Sequence, residues 1–338
     1  MSTQTNNTGN KTALVLGATG GVGGEMTRAL IRHGWRVRAL ARRPEAAPAM
    51  TGVEWVKGDA MDRASVVAAA QGASTIVHAV NPPGYRNWAG LVLPMIDNTI
   101  DAAAAAGGAR IVLPGTIYNY GPDALPLLKE TSPQTPVTRK GRIRVELERR
   151  LEAAAEIGVP SLVLRCGDFF GPRPGNNWFS QGLVSAGKPV AAVTYPGPLE
   201  IGHAWAYLPD VGETAARLLA FGDDLAPFAT FHMEGHWLEH GGQMVEAIAR
   251  AVGRPDLPVK TLPWTALRLA APFNETLREM LEMRYLWQAP IRLDNRRLVA
   301  LLGAEPRTPL NVAVKASLQG AGCLPPIQNQ PASRRAFA

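Results

Sequence analysis

The sequence predicts an α/β fold in which a doubly wound parallel sheet carries a smaller, mainly helical C-terminal lid. Between residues 12 and 165, short apolar runs alternate with segments of helical periodicity, which is typical of parallel sheets with crossover helices. The chain has 338 residues, of which 46% are hydrophobic and 19% charged, so it can bury a large core. Beyond Gly171 the alternation ends and proline-broken helical segments follow.

The predicted strands are short apolar runs, and the predicted helices lie between them. The first run stops at Gly17, where helical spacing begins, and the last of these helices closes at Gly158 and Pro160. In chain order, the predicted strands are 12–16, 35–41, 53–57, 75–79, 110–113 and 161–165, and the predicted helices are 22–33, 63–70, 91–106 and 142–157. Right-handed crossovers would place the carboxyl ends of these strands at one edge of the sheet.

The predicted domain organisation follows the change of pattern. The main domain spans 11–175 and regains 204–222, where a helix start occurs at Pro209 and Asp210. The lid comprises 176–203 and 223–325. Two terminal segments stay outside both: a disordered leader, 1–10, and a loose tail, 326–338.

Composition excludes several classes of protein. The net charge of +7 is modest for this length, and no basic segment is interleaved with aromatic residues, so we expect no nucleic-acid partner. The most apolar helical stretch, 89–106, contains a proline and two aspartates, so we expect no membrane span.

The two cysteines, Cys166 and Cys323, cannot form a disulfide framework, and Cys166 has no assignable base. With no visible signal peptide, we expect a cytoplasmic protein.

A glycine-rich turn joins the first predicted strand to the first predicted helix. The segment LVLGATGGVGG has the spacing G-x-x-G-x-x-G, which allows a tight turn and close approach of backbone N–H groups to a pyrophosphate. The strand, turn and helix together predict a Rossmann-type nucleotide site. Its expected cofactor contacts are Gly17, Thr19, Gly20, Gly21, Val22 and Gly23.

The end of the second predicted strand favours NADP(H) over NAD(H). A carboxylate at this point would bind the ribose 2′-hydroxyl of NAD, but the chain has Arg42 and Arg43 and no acid before Glu45. Guanidinium groups suit a 2′-phosphate. The alternative is a pair of solvated surface arginines.

Several motifs resemble the short-chain dehydrogenase/reductase superfamily, in its extended and atypical, epimerase/dehydratase-like branch. They occur in family order over residues 13 to about 220. The matching segments are GATGGVGG (17–24), Gly58-Asp59, HAVNPP (78–83), LPGTIYNYG (113–121), LRCGDFFGP (164–172) and AWAYLPD (204–210).

The resemblance implies roles for particular residues. Asp59 would lie beside the adenine, and the backbone of Ala79 and Val80 beside the adenosine ribose. Thr116 would hydrogen-bond the reacting oxygen of the substrate. The alternative for Thr116 is a threonine that merely ends a strand. The resemblance also allows a homodimer through helices 91–106 and 142–157.

The chain departs from the family at the catalytic Tyr-x-x-x-Lys, because no tyrosine has a lysine four residues later. Aligning the helix by its E-x-x-L places Lys140 at the tyrosine position and Arg144 at the lysine position. Lys140 could then donate the proton if its pKa is lowered, and Arg144 could bind the nicotinamide ribose. A two-residue shift would pair Thr138 with Arg142 instead. Tyr118 and Tyr120 are alternative proton donors, and a solvated basic helix start without catalytic duty is the remaining interpretation.

A second group of residues is expected to contact a small-molecule substrate. Polar side chains beside aromatic ones suit a loop that lines a substrate cleft, although a packed lid hinge would use similar residues. The candidates are Asn81, Asp168, Phe169, Asn176, Asn177, Trp178 and His203. His232, His236 and His240 recur every four residues, but Gly235 interrupts any helix, so we expect no metal site.

Together these observations predict an NADP(H)-dependent oxidoreductase of atypical short-chain type that acts on a small carbonyl or activated alkene. Two alternatives stay open at this point. The chain could be an NADP-binding regulator that has lost catalysis, or a nucleotide-sugar epimerase or dehydratase supported by fold analogy.

Overall fold

The computed structural model describes residues 11–82, 87–173, 175 and 177–325. The predicted leader and tail, 1–10 and 326–338, lie outside these residues. In chain order the strands are β1 (Thr12–Leu16), β2 (Arg36–Ala41), β3 (Val53–Lys57), β4 (Thr75–His78), β5 (Arg110–Gly115), β6 (Leu127–Leu128), β7 (Ser161–Arg165), β8 (Asp168–Phe170), β9 (Val193–Tyr195), β10 (His203–Tyr207), β11 (Phe228–His232), β12 (His236–Leu238), β13 (Val259–Thr261) and β14 (Arg292–Leu293).

The helices cover both faces of the main sheet and build the lid. In chain order they are α1 (Gly21–Arg32), α2 (Arg63–Ala70), α3 (Trp88–Ala105), α4 (Arg139–Glu156), α5 (Leu208–Leu219), α6 (Gly242–Val252), α7 (Trp264–Ala270), α8 (Glu275–Glu282), α9 (Arg296–Leu302) and α10 (Leu310–Gly320). Within the described ranges, no helix is long and apolar enough to cross a bilayer.

The main sheet has seven strands in the order β11-β7-β5-β4-β1-β2-β3, and every pairing between neighbours is parallel. Apolar residues of α1 and α5 pack on one face of the sheet, and those of α2, α3 and α4 pack on the other. All five residues of β1 are buried, as expected for a strand covered on both faces. The strand order reverses between β1 and β4, and this reversal opens a crevice at their carboxyl ends. The fold is the predicted doubly wound parallel sheet.

The helix that carries Lys140 and Arg144 starts earlier than its sequence pattern indicates. It begins at Arg139 because the side chain of Thr138 caps it, accepting a hydrogen bond from the backbone N–H of Gly141 at 3.0 Å. Both candidate residues therefore lie on α4 itself.

One strand of the main sheet falls inside the segment assigned to the lid. Phe228–His232 forms β11 and pairs with β7 along its whole length, from Phe228 opposite Ser161 to His232 opposite Arg165. The main sheet therefore extends beyond residue 222, which corrects the assignment of all of 223–325 to the lid. The hydrophobic pattern of a single five-residue run in the sequence does not indicate which sheet the strand joins.

The remaining elements form the lid around an aromatic core. Phe170, Trp205, Trp264 and Trp287 are buried there together with apolar residues of α6 and α10. Strand β10 pairs with β8 and β12 in a separate three-stranded sheet, while α5, which follows β10, packs against α1. Residues 204–222 thus connect the lid to the main sheet.

Candidate active site

A cavity of about 380 Å³ lies between the carboxyl ends of the main strands and the lid. Its wall combines the start of α1, the segments after β4 and β5, strand β8 and helix α8. The predicted site residues that line it are Gly20, Gly21, Val22, Ala79, Val80, Asn81, Thr116, Tyr118, Arg144, Asp168, Phe169, Asn177 and Trp178. Asn176 lies outside the described residues.

The glycine turn has room for backbone only. Gly17 has φ +91°, and a Cβ there would lie 2.5 Å from the carbonyl oxygen of Ala79. A Cβ on Gly23 would lie 2.3 Å from the carbonyl oxygen of Gly17. The turn therefore holds β1, the segment after β4 and the start of α1 in contact, and any side chain at these two positions would force them apart.

The start of α1 provides the electrostatics of an anion site. Gly20 is the N-cap and makes no side-chain capping bond, and the first turn contains no acidic residue. The carboxylate of Glu25, in the second turn, is paired with Arg173. The free N–H groups and the positive end of the helix dipole therefore point to the cavity, as a pyrophosphate requires. The residues of this turn fit a dinucleotide cofactor.

The cavity lining does not include several predicted cofactor residues, among them Arg42, Arg43 and Asp59. Arg42 and Arg43 directly follow β2 and are exposed, and their side chains form no hydrogen bond or ion pair within the described part of the chain. Asp59 is half-buried, and its Oδ1 accepts a hydrogen bond from the N–H of Met61 at 3.0 Å. Thr19 is exposed and does not line the cavity.

Two hydroxyl groups and an arginine form the polar wall after β5. Thr116 and Tyr118 both line the cavity, and the N–H of Tyr118 donates to Thr116 Oγ1 at 3.3 Å. Arg144 also lines the cavity, and its guanidinium carbon lies 5.0 Å from the centre of the Trp88 ring, a cation–π contact. Trp88 in turn donates to Asn81 Oδ1 at 2.7 Å.

Tyr120, the second alternative phenol, lies in a buried polar cluster instead. Its hydroxyl accepts a hydrogen bond from Arg165 at 2.9 Å and lies 2.9 Å from His232 Nε2. Burial raises the pKa of Tyr120 above its usual value, although Arg165 opposes the shift. Arg165 is also paired with Glu148 on α4. Tyr120 is absent from the cavity lining, so its contacts indicate a structural role.

Lys140 is buried behind the cavity wall. Its Nζ lies 2.7 Å from Glu279 Oε2 and donates to the carbonyl oxygen of Glu279 at 2.5 Å. Burial lowers the pKa of Lys140, and Glu279 opposes the shift. Glu279 lines the cavity, whereas Lys140 does not. The structure gives Lys140 a partner rather than the predicted access to substrate.

Asp168 and His203 form a second buried pair. His203 Nε2 lies 2.7 Å from Asp168 Oδ2, and the imidazole stacks on the Trp287 ring with the centroids 4.0 Å apart. Asp168 lines the cavity, whereas His203 supports it from behind.

Several lining residues were not among the sequence-based candidates. His78, the last residue of β4, is buried, and burial together with the charge of Arg144 lowers its pKa to about 3. Thr276, Glu279, Met280 and Met283 come from the region of α8. His78 ends a buried strand beside the crevice, which is a usable sequence signal. The α8 residues carry no such signal, because only long-range packing brings them to the cavity.

The three regularly spaced histidines do not form a metal centre. His232 belongs to β11 and contacts Tyr120, while His236 belongs to β12. Burial lowers the pKa of His232 to about 3 and that of His236 to about 4. In the parts of the chain that the structure covers, no group of three His, Cys, Asp or Glu side chains could hold a metal ion.

The chain is similar to known nicotinamide-dependent proteins. Residues 17–149 match the NAD(P)H-binding family. A 3-diazoavenalumate denitrifying reductase from a Streptomyces species is 30% identical over 276 residues, which are 74% of this chain and 84% of that protein. A (4-alkanoyl-5-oxo-2,5-dihydrofuran-3-yl)methyl phosphate reductase from Streptomyces griseus is 41% identical over 98 residues, 29% of this chain and 31% of that protein.

Solved structures have the same fold. MoeE5 in complex with UDP-glucose and NAD has a TM-score of 0.71 and 21% identity, over 91% of this chain and 97% of that one. UDP-glucose 4-epimerase from Brucella ovis in complex with NAD has a TM-score of 0.74 and 15% identity, over 92% of this chain and 98% of that one.

The comparisons agree with the geometry of the site. The NAD(P)H-binding match starts at Gly17, the first glycine of the uncapped turn, and the relative that covers most of the chain is a reductase. Both findings support an oxidoreductase that uses a nicotinamide cofactor. The chain belongs to the NAD(P)H-binding short-chain dehydrogenase/reductase superfamily, and its fold is that of the NAD-bound epimerase structures.

Proposed function

We propose that this protein is an NADP(H)-dependent reductase acting on a small carbonyl compound or activated alkene. The observation that carries the proposal is the shared cavity. One end is the uncapped start of α1 above the glycine turn, and the other holds the hydroxyl groups of Thr116 and Tyr118. The proposed nucleotide site and the proposed proton donor would thus share one cavity.

The residues of the main domain would hold the cofactor. The turn from Gly17 to Gly23 would bind the pyrophosphate, and Asp59 would lie near the adenine. Arg42 and Arg43 would bind the 2′-phosphate, which is consistent with their exposure and their lack of ion-pair partners in the described chain. Arg144, on the cavity wall, would bind the nicotinamide ribose.

The chemistry divides between cofactor and protein. A reduced nicotinamide, when bound, supplies the hydride that adds to the electrophilic carbon of the substrate. Thr116 would hydrogen-bond the reacting oxygen and orient it. Tyr118 would donate the proton that completes the reduction, because it lines the cavity whereas Lys140 and Tyr120 do not.

The lid would exclude water from this site. Phe169, Trp178, Met280 and Met283 line the cavity with apolar surface. An apolar wall strengthens hydrogen bonds to the substrate and favours ligands with an apolar frame.

Equilibrium titration of the purified protein with NADPH and with NADH tests the cofactor. We expect tighter binding of NADPH, and Arg42→Ala should weaken NADPH binding by roughly tenfold while leaving NADH unchanged, because it removes a charge-assisted contact to the 2′-phosphate. Arg36→Ala, an exposed arginine at the other end of β2, is the matched control.

Turnover is followed as loss of NADPH absorbance in the presence of aromatic aldehydes and conjugated enals. Reduction that depends on Thr116 and Tyr118 supports the reductase. Binding of NADPH without reduction of any compound in the panel would favour the NADP-binding regulator. Binding of neither nucleotide would refute the proposed function.

A further inference from the structure

Asp168 places on the cavity wall a buried carboxyl group whose second oxygen accepts no side-chain hydrogen bond from the described residues. The residue is 8% exposed and lines the cavity. Its Oδ2 is 2.7 Å from His203 Nε2, and no other side-chain hydrogen bond or ion pair of Asp168 occurs within the described residues. An acceptor oxygen on the cavity wall is available to a hydrogen-bond donor on a ligand.

The pair with His203 holds the carboxylate in one orientation. The imidazole is 2% exposed and lies parallel to the Trp287 ring, with an interplanar angle of 8°. The Trp205 ring packs against its edge at a centroid distance of 5.3 Å. Because both aromatic rings restrict the imidazole, its Nε2 stays directed at Asp168, and the carboxylate cannot turn away from the cavity.

The other acid on the cavity wall is already neutralised. Glu279 pairs with Lys140 at 2.7 Å and with Arg139 at 2.5 Å. Arg144, the cation on the wall, is held over the Trp88 ring. Asp168 therefore differs from Glu279, since its one polar side-chain contact in the described chain is the imidazole of His203 rather than a lysine or an arginine.

We propose that Asp168 selects the substrate: the cavity takes a neutral or cationic compound with a hydroxyl or N–H donor on an aromatic or aliphatic frame, and rejects anionic ones. The donor would fill the open oxygen of Asp168 while the frame packs on Phe169 and Trp178. A carboxylate or a diphosphate in the same place would face a buried like charge. The inference rests on the proposed reductase, and it argues against nucleotide sugars as substrates.

Three matched series of aldehydes test this selectivity. Hydroxybenzaldehydes, methylbenzaldehydes and formylbenzoates, each as ortho, meta and para isomers, present a donor, a neutral apolar group or an anion on the same frame. Dissociation constants of the aldehydes are measured calorimetrically on the NADP⁺-saturated protein. The value of kcat/KM for each aldehyde is measured with NADPH as the reductant. We expect the best hydroxybenzaldehyde to bind at least about tenfold more tightly than its formylbenzoate isomer, with the methyl compound between them.

Substitution of Asp168 shows whether that residue causes the preference. Asp168→Asn keeps the size of the side chain, and we expect it to improve formylbenzoate binding by about tenfold relative to the wild type. Asp210→Asn is the control, because Asp210 is also buried but bonds to Thr308 outside the cavity. The comparison of the three aldehyde series on the wild-type protein is independent of the variants, so it tests the inference even if a variant fails to fold.

The outcomes separate this inference from the proposed function. Reduction of all three series with equal efficiency overturns the role of Asp168 and leaves the reductase intact. Failure to bind either nucleotide refutes the reductase. In that case, calorimetric titration of the nucleotide-free protein with the three aldehyde series still tests the role of Asp168. Equal binding of the three series, or binding of none, overturns the inference in either case.

Discussion

The two ends of the cavity differ in the groups that form them, which are mainly backbone at the glycine turn and side chains at the lid. At the proposed nucleotide end, backbone groups would bind the cofactor, and the turn at Gly17 and Gly23 has no space for a Cβ. At the lid end, side chains from distant parts of the sequence meet, with Glu279 of α8 held by Lys140 and Arg139 of α4. The first end is fixed by steric exclusion and the second by buried ion pairs.

This difference indicates which end of the cavity can change its ligand through substitutions. A backbone site binds the constant part of a ligand, such as a pyrophosphate, and any side chain added there displaces a strand or a helix. A site made from side chains can change its ligand by single substitutions while the sheet stays intact. We therefore expect changes at the nucleotide end to abolish binding, and changes at the lid end to alter specificity.

Gly17→Ala should have the largest effect. The new Cβ meets the carbonyl oxygen of Ala79 at 2.5 Å and also imposes a strained backbone, so NADPH affinity should fall by about a hundredfold or more. Gly107→Ala is the matched control, because Gly107 has φ +83° but nothing within 4 Å of its Cβ. The control should lose about 1–2 kcal/mol of stability and retain NADPH binding. Equal affinities in a fluorescence titration would show that the turn does not hold the nucleotide.

Tyr118→Phe should lower kcat by about a hundredfold, because the proton donor is lost while the ring remains. Tyr120→Phe provides the contrast. It breaks the buried contacts with Arg165 and His232, so it should reduce the free energy of unfolding by about 1–3 kcal/mol and change kcat by less than about threefold. Steady-state kinetics and urea denaturation of both variants measure the two effects, and the opposite pattern would exchange the roles of the two tyrosines.

The sheet could be predicted from the sequence because its signals are local. Strand β7 and helix α2 have the predicted bounds, since each is a short pattern that ends at a turn or cap residue. Strand β11 was predicted only as part of the lid, because its pairing with β7 depends on contacts between residues far apart in sequence. Local patterns predict elements, whereas partners for a short edge strand require the assembled fold.

The nucleotide end of the site could be predicted for the same reason, and the lid end could not. The glycine turn combines a strand, a spacing and a helix within one segment. Glu279 has no motif around it, and its position beside Lys140 results from packing of α8 against α4. Aligning α4 by its E-x-x-L suggested a proton donor at Lys140, whereas the ion pair of Lys140 with Glu279 could not be predicted from the sequence.

Lys140→Met tests whether the lysine positions the lid or performs chemistry. Loss of the ion pair with Glu279 should loosen α8 and raise KM for the aldehyde by about tenfold, with NADPH affinity unchanged and kcat within about threefold. Arg142→Met, an exposed change on the same helix, should leave KM unchanged. A collapse of kcat at constant KM would restore Lys140 as the proton donor.

The last prediction concerns His78, the titratable residue of β4 at the proposed nucleotide end. Burial and Arg144 lower its folded-state pKa to about 3, whereas the unfolded chain takes up the proton near its ordinary value of 6.5. The unfolded state therefore binds more protons between these values, so this residue contributes stability above pH 6.5 that is lost as the pH falls, by about 1.4 kcal/mol per pH unit. Urea denaturation of His78→Asn from pH 7 to pH 4 should show a slope shallower by about this amount than that of the wild type. Parallel pH profiles would mean that His78 is protonated in the folded protein, and that Arg144 does not lie close enough to oppose its charge.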